Sequence, residues 1–202
     1  VNGTLSPHAM PLLFDRINSA TAVLVGPGMG KDRNTEMVTQ KIAEHVELPT
    51  LLDADALRVR VMEVIQKRKP HFGKIVLTPH MGEFKRIAKL TEANYTVELL
   101  LDFSDAYSVL TVLKGANTRI CDGKSVIYNT QGGPVLSRGG SGDLLSGLIG
   151  GMIAQNSDCV PIAVARGIML HGMAAQLLAR ANGQIAVQTT QLLDYLPEVL
   201  RV

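Results

Sequence analysis

Asp143 sits inside the stretch Ser137–Gly151, SRGGSGDLLSGLIGG, where six glycines surround one carboxylate. Gly139, Gly140, Ser141 and Gly142 come directly before it, and an apolar run of helical character follows. A glycine-rich turn that opens a helix aims several backbone N–H groups and the positive end of the helix dipole at one point, which is an anion site. A carboxylate at that end is favoured as the ion. Beside a bound phosphate it can take the proton of a hydroxyl that attacks, or is attached to, the phosphoryl group. As a simple N-cap, Asp143 would explain the aspartate but not four preceding small residues, because capping needs one acceptor.

Four further turns carry reactive or backbone-exposing residues. Gly26-Pro27-Gly28-Met29-Gly30 offers bare backbone, either for a ligand to approach through Gly28 and Gly30 or for a sharp entry into the next helix. Leu52-Asp53-Ala54-Asp55-Ala56-Leu57 brings two acids two residues apart, and Asp55 is equally suited to capping a helix. Thr78-Pro79-His80-Met81-Gly82-Glu83-Phe84 holds His80 between a proline and a glycine, in a rigid turn suited to meeting a ligand. Glu83 either joins that site or complements the dipole of the following helix. Lys114-Gly115-Ala116-Asn117-Thr118 supplies a cation and a tight turn, fit for phosphate contact or for a solvated surface.

The elements that must position these turns follow from periodicity. Short apolar runs at 22–25, 50–53, 74–78 and 109–114 read as strands, and 34–46 and 55–67 carry the i, i+3, i+4 spacing of amphipathic crossover helices. That alternation predicts an α/β fold with a largely parallel sheet, whose ligands lie beyond the carboxyl ends of the strands. Thr118–Cys121 and Ser125–Tyr128, joined through Asp122-Gly123, predict an antiparallel hairpin at the sheet's end with a type I′ turn. Beyond Gly142 the chain reads as helical over 143–155, 161–181 and, after a threonine cap, 190–200. With neither linker nor repeat, 1–202 is expected to be a single domain.

Composition narrows the function classes. The chain has 202 residues, 46% hydrophobic and 19% charged, which suits a globular domain with a sizeable core. The 20 basic and 18 acidic residues leave a net charge of +2, too even for a nucleic-acid partner. The one basic run, Lys67-Arg68-Lys69, is expected to complement a helix C-terminus. Cys121 and Cys159 have no metal-ligand spacing, so a reducing, cytoplasmic setting is expected, or an organellar one in a eukaryote. The apolar run 144–154 is too short to span a bilayer, and no membrane partner is expected. Gly147 and Gly151, a GxxxG pair within it, are expected with Gly150 to serve close helix packing. Val1-Asn2-Gly3 shows no leader pattern, and a start at valine suggests that more chain precedes it.

The five turns, taken in order, resemble the ribokinase-like superfamily and within it the ADP- or ATP-dependent NAD(P)H-hydrate dehydratases. That family carries a VGPGxG turn, a LDADAL segment, a TPHxGEF turn, a LKGxxT turn and a GGxGDxLxG helix start. Here they are Val25–Gly30, Leu52–Leu57, Thr78–Phe84, Leu113–Thr118 and Gly139–Gly147. The resemblance implies a three-layer α/β sandwich with an antiparallel edge. It implies that Gly139, Gly140, Ser141 and Gly142 hold nucleotide phosphates and that Lys114, Gly115, Ala116, Asn117 and Thr118 line the nucleotide. Gly28, Gly30, His80 and Asp143 would bind the hydrated nicotinamide, NAD(P)HX, with Asp143 as base. The ring hydroxyl would be phosphorylated by ADP or ATP and phosphate eliminated, returning NADH or NADPH. A magnesium ion is implied, with Glu83 a candidate for its water shell, and so is a homo-oligomer.

Two departures from the family pattern stand out. Met81 replaces a proline common in relatives, which is expected to loosen the turn slightly. Relatives also begin with a strand and a tyrosine-bearing glycine-rich segment that helps close the substrate site, and neither precedes Gly26 in this sequence; if that part is truly absent, nucleotide binding is expected to survive and turnover to suffer. Two other readings stand beside the dehydratase: a kinase of a small vitamin-precursor alcohol using Asp143 as base, and a nucleotide-binding regulatory protein that lost catalysis.

Overall fold

The computed structural model describes residues 5–90 and 95–201, so Val1-Asn2-Gly3 lies outside the described residues. Contacts group the chain into two compact units, Val1–Gly115 with Arg119–Ile127, and Ala116–Thr118 with Tyr128–Val202.

The first unit starts with α1 (Met10–Ile17) and then alternates: β1 (Val23–Val25), α2 (Arg33–His45), β2 (Thr50–Leu52), α3 (Val59–Ile65), β3 (Ile75–Leu77), α4 (Met81–Ile87), α5 (Val97–Ala106) and β4 (Leu110–Leu113). A hairpin of β5 (Thr118–Cys121) and β6 (Val126–Asn129) follows. The six strands lie in sequence order. β1 to β4 are parallel, with Val25 opposite Leu52, Leu52 opposite Leu77 and Leu77 opposite Thr111. β4 and β5 are antiparallel, with Val112 opposite Ile120. Because the parallel strands stay in step, Gly26, Asp53, Thr78 and Lys114 all emerge at one edge of the sheet. That edge is where an open α/β sheet takes its ligands.

Every residue of β2, β3 and β4 is buried, as the continuous apolar runs of a central parallel sheet require. The core of this unit gathers Val38, Ile42, Leu52, Leu57, Val61, Leu77, Phe84, Ile87 and Leu100. Phe84 meets Phe103 edge to face at 5.1 Å between ring centres. α3 is shorter than its apolar spacing suggests, since the first residues of the expected helix form a 3-10 turn, Ala54–Ala56. The basic run therefore lies past α3, and Arg68 serves a different helix: its guanidinium donates to Ala43 O at 2.6 Å and to Val46 O, closing the C-terminus of α2.

The β5–β6 connection departs from a type I′ turn. Only Gly123 has positive φ, 91°, while the Asp122 carboxylate accepts the N–H groups of Lys124 and Ser125 at 2.9 and 2.8 Å. Those two bonds hold the Asp122 carboxyl below its ordinary pKa. The side chain thus builds the turn that a left-handed pair would otherwise build.

The second unit holds α6 (Ser141–Gln155), α7 (Val160–Asn182) and α8 (Leu196–Val199). Its core includes Val135, Ala174, Ala175, Leu178, Val187, Leu192 and Val199. The close approach of α6 and α7 rests on Gly167, where a Cβ would stand 2.8 Å from Ile149 Cα. The GxxxG pair does not supply it, since a Cβ at Gly147 or Gly151 would meet nothing within 4 Å. Residues 157–182 are long and apolar enough to cross a membrane by length and composition, unlike 144–154. Half of that apolar stretch is buried within the protein, and α7 buries Ala163, Val164, Ile168, His171 and Leu178, as a core helix does. The final segment is a 3-10 stretch, Thr189–Tyr195, before α8, and its cap is Gln188 in place of a threonine.

Candidate functional site

The first unit positions three of the five turns and the start of a fourth, as far as Gly115. Gly26 has a φ of 129°, and a Cβ there would lie 1.7 Å from the Asp53 carbonyl oxygen, so no other residue fits. Gly28 and Gly30 also have positive φ, 69° and 80°. A Cβ on Gly28 would meet open space. The loop is pinned twice: Thr35 Oγ1 donates to Met29 O at 2.8 Å, and Gly30 N–H donates to Asp55 Oδ2 at 2.9 Å. Asp55 is therefore not a helix cap, and its turn has no side-chain cap bond.

Asp53 reaches across the strand ends. Its side chain is 1% exposed and its Oδ1 stands 2.7 Å from Lys114 Nζ. Lys114 N–H in turn donates to Pro79 O at 2.8 Å, which extends the β3–β4 pairing to His80 and Lys114. The Lys114 ammonium is thus fixed by a buried carboxylate, and it is not a solvated surface group.

His80 caps α4 through a reciprocal capping box. Its Nδ1 accepts the N–H groups of Gly82 and Glu83 at 3.0 and 3.2 Å, and Glu83 Oε2 accepts His80 N–H at 2.8 Å. Nδ1 as acceptor leaves the proton of the neutral ring on Nε2. Gly82 makes room for that ring, because a Cβ there would come within 3.0 Å of His80 Cε1. Met81 occupies the first helical position, where an N–H has no intrahelical partner, so its exchange for proline breaks no helix bond. The His80 side chain is 61% exposed and its Nε2 lies 3.5 Å from Glu83 Oε1. Gly115, Ala116 and Asn117 form the exposed turn between β4 and β5, and Thr118 opens β5; the boundary between the two units falls within this turn, after Gly115.

Among the described residues no three His, Cys, Asp or Glu side chains gather as ligands for a metal. Glu83 is engaged by His80 through both oxygens. A magnesium ion held chiefly by nucleotide phosphates and water would need no protein cage.

The second unit holds the helix start. Gly140 is the N-cap of α6 in the left-handed conformation, φ 83°, so the turn demands glycine there. Ser141, Gly142 and Asp143 form the first turn, where backbone N–H groups have no partner inside the helix. Asp143 is exposed. The turn is held from two sides. Thr189 Oγ1 donates to Gly139 O at 2.9 Å, and buried Ser141 places its Oγ 3.4 Å from Nε2 of His171. His171 is itself buried, and burial pushes its pKa down to about 4, partly offset by its bond to the Ser141 backbone. It is a neutral imidazole under the helix start at neutral pH.

Three contacts in these turns escaped sequence reasoning: Asp53 with Lys114, Asp55 with Gly30, and Ser141 with His171. They join residues 61, 25 and 30 positions apart. For the first pair a signal existed, since both residues follow parallel strands and their charges are opposite.

The sheet of four parallel strands with an antiparallel hairpin, flanked by helices, is that of the ribokinase-like superfamily. A protein of that superfamily from Enterococcus faecalis superposes with a TM-score of 0.81 at 25% identity, over 96% of this chain and 67% of that one. An ADP/ATP-dependent NAD(P)H-hydrate dehydratase from Bacillus subtilis, crystallised with ATP and Mg2+ and soaked with CoA, superposes at 0.80 with 25% identity, over 97% of this chain and 78% of that one. The family model described as NAD(P)H-hydrate dehydratase matches residues 5–198, and the chain belongs to that family. A bifunctional NAD(P)H-hydrate repair enzyme of Moorella thermoacetica is 35% identical over 98% of this chain but 38% of its own length. The ADP-dependent (S)-NAD(P)H-hydrate dehydratase of Listeria monocytogenes is 30% identical over 94% of this chain and 66% of its own. The chain thus spans about two fifths of the Moorella relative and just under two thirds of the Listeria one.

Proposed function

We propose that the protein dehydrates the S epimer of hydrated NADH or NADPH in a nucleotide-dependent reaction. The observation that carries this reading is the start of α6, where a left-handed Gly140 presents first-turn N–H groups beside an exposed Asp143. Gly139, Gly140, Ser141 and Gly142 hold the phosphates of ADP or ATP, and the turn Lys114–Thr118 lines the nucleotide. Gly28, Gly30 and His80 bind the hydrated nicotinamide. Asp143 accepts the proton of the ring hydroxyl as it attacks the terminal phosphoryl group. Hydroxide is a poor leaving group and phosphate a good one, so loss of phosphate from one ring carbon and of a proton from its neighbour then restores the ring double bond. Magnesium bound to the phosphates would neutralise their charge, with Glu83 the candidate to hold one of its waters. Only small molecules are partners in this reading, the protein acts as a homo-oligomer, and the reaction belongs in the cytoplasm, where nucleotides and reduced nicotinamides are both present.

Incubation with hydrated NADH and either ADP or ATP tests this directly. Absorbance in the NADH band is expected to return only when nucleotide is present. Asp143→Asn is expected to lower kcat by at least about a hundredfold and to leave nucleotide affinity within a few fold. No return of NADH, or full activity in Asp143→Asn, would sink the reading. Phosphorylation of a small alcohol in place of dehydration would replace it with a kinase.

A further inference from the structure

We propose that Asp55 is a positioning residue for the substrate side of this reaction. By accepting the Gly30 N–H, its carboxylate fixes the glycine loop against which the hydrated ring binds. The inference rests on the dehydratase reading for its substrate, but its geometry stands apart. Gly26 is locked by the Asp53 carbonyl, and Met29 O by the Thr35 hydroxyl. Gly28 and Gly30 both hold positive φ, and a Cβ at Gly28 would meet open space. Asp55 holds Gly30 in place through a side-chain acceptor oxygen 2.9 Å from Gly30 N.

The segment bearing Asp55 is built to aim it. Ala54 adopts a φ of 47°, a left-handed conformation that costs a residue with a side chain and persists only where the surroundings demand it. That turn sends Asp53 to Lys114 and Asp55 to Gly30. Arg58 Nε then fastens the Asp55 carbonyl at 2.9 Å. A helix cap would need none of this. A carboxylate on a strained turn after β2, bound to a backbone N–H of the loop after β1, acts on that loop and not on its own helix.

The test compares Asp55→Ala with Asp55→Asn, which keeps an acceptor oxygen and loses the charge. With hydrated NADH as substrate, Asp55→Ala is expected to raise its KM about tenfold while kcat and the KM for nucleotide stay within about twofold. Asp55→Asn is expected to stay near wild type. Equal loss of nucleotide affinity in Asp55→Ala would indicate general unfolding, and an Asp55→Asn defect as large as that of Asp55→Ala would indicate a role for the charge; either result overturns the proposal. Amide hydrogen exchange gives an arm free of activity: Gly30 N–H is expected to be protected in wild type and Asp55→Asn and to exchange rapidly in Asp55→Ala. If wild type fails to dehydrate the substrate, the functional reading falls and Gly30 exchange alone decides the role of Asp55. Unchanged exchange in Asp55→Ala would refute that role.

Discussion

Lys114 combines a structural ion pair with a proposed nucleotide contact, and a single substitution confuses the two. Its ammonium stands 2.7 Å from a carboxylate with 1% exposure, so removing it leaves a buried negative charge short of its nearest cation. Breaking a buried pair from one side typically costs about 3–5 kcal/mol, well above the cost of a lost surface contact. Lys114→Met is therefore expected to lower unfolding free energy by about 3 kcal/mol in urea titration, and Asp53→Asn combined with it to recover part of that loss. Equal stabilities for wild type and Lys114→Met would show that the pair contributes nothing. The proposed contact of Lys114 with nucleotide is best tested in the double variant, where fold and site are separated.

At the scale of elements, the glycines of α6 and α7 separate conformation from contact. A Cβ at position 167 would press on Ile149 backbone, which cannot yield without parting the two helices. Overpacking of this kind costs about 1–3 kcal/mol. Gly147 and Gly151 face no neighbour within 4 Å, and alanine there gains helix propensity worth up to about 1 kcal/mol. Thermal unfolding should place Gly167→Ala below wild type and Gly147→Ala and Gly151→Ala at or above it; the reverse order would contradict the packing described. The same contrast marks what the sequence makes legible. Strands at 23–25, 50–52, 75–77 and 110–113 are readable because a short continuous apolar run between turn residues is too brief for a core helix and too apolar for a loop. The five turns are readable because each follows a strand or opens a helix. The spacing of Gly147 and Gly151 suggests a packing role that a single glycine on the partner helix performs, because sequence spacing does not reveal which face of a helix meets a neighbour. The β5–β6 turn differs from its expected type for a similar reason: Asp-Gly fits a type I′ turn by propensity, but the Asp122 carboxylate finds two N–H groups of its own. α1 and α5 carry no motif to draw attention to them. The links Asp53–Lys114, Asp55–Gly30 and Ser141–His171 depend on tertiary proximity and lie beyond any local pattern.

For the whole molecule, the buried His171 ties stability to pH. Its folded pKa of about 4 lies below the ordinary value of 6.5, because burial disfavours the imidazolium. The unfolded chain therefore binds this proton more readily than the folded one, and stability rises with pH wherever that difference exists. The contribution is complete above about pH 6.5 and is lost progressively as pH falls through about 4, by about 3 kcal/mol in all. The loss falls on the helix start, since His171 lies against Ser141 beneath Gly139–Asp143 and burial there disfavours its imidazolium. His171→Gln keeps a polar side chain and cannot titrate in this range. Urea titrations at pH 7, 5.5 and 4.5 are expected to show a steeper decline for wild type than for His171→Gln. Other carboxylates titrate in both proteins and cancel in the difference, so parallel declines would mean that the imidazole is already accessible to protons in the folded state.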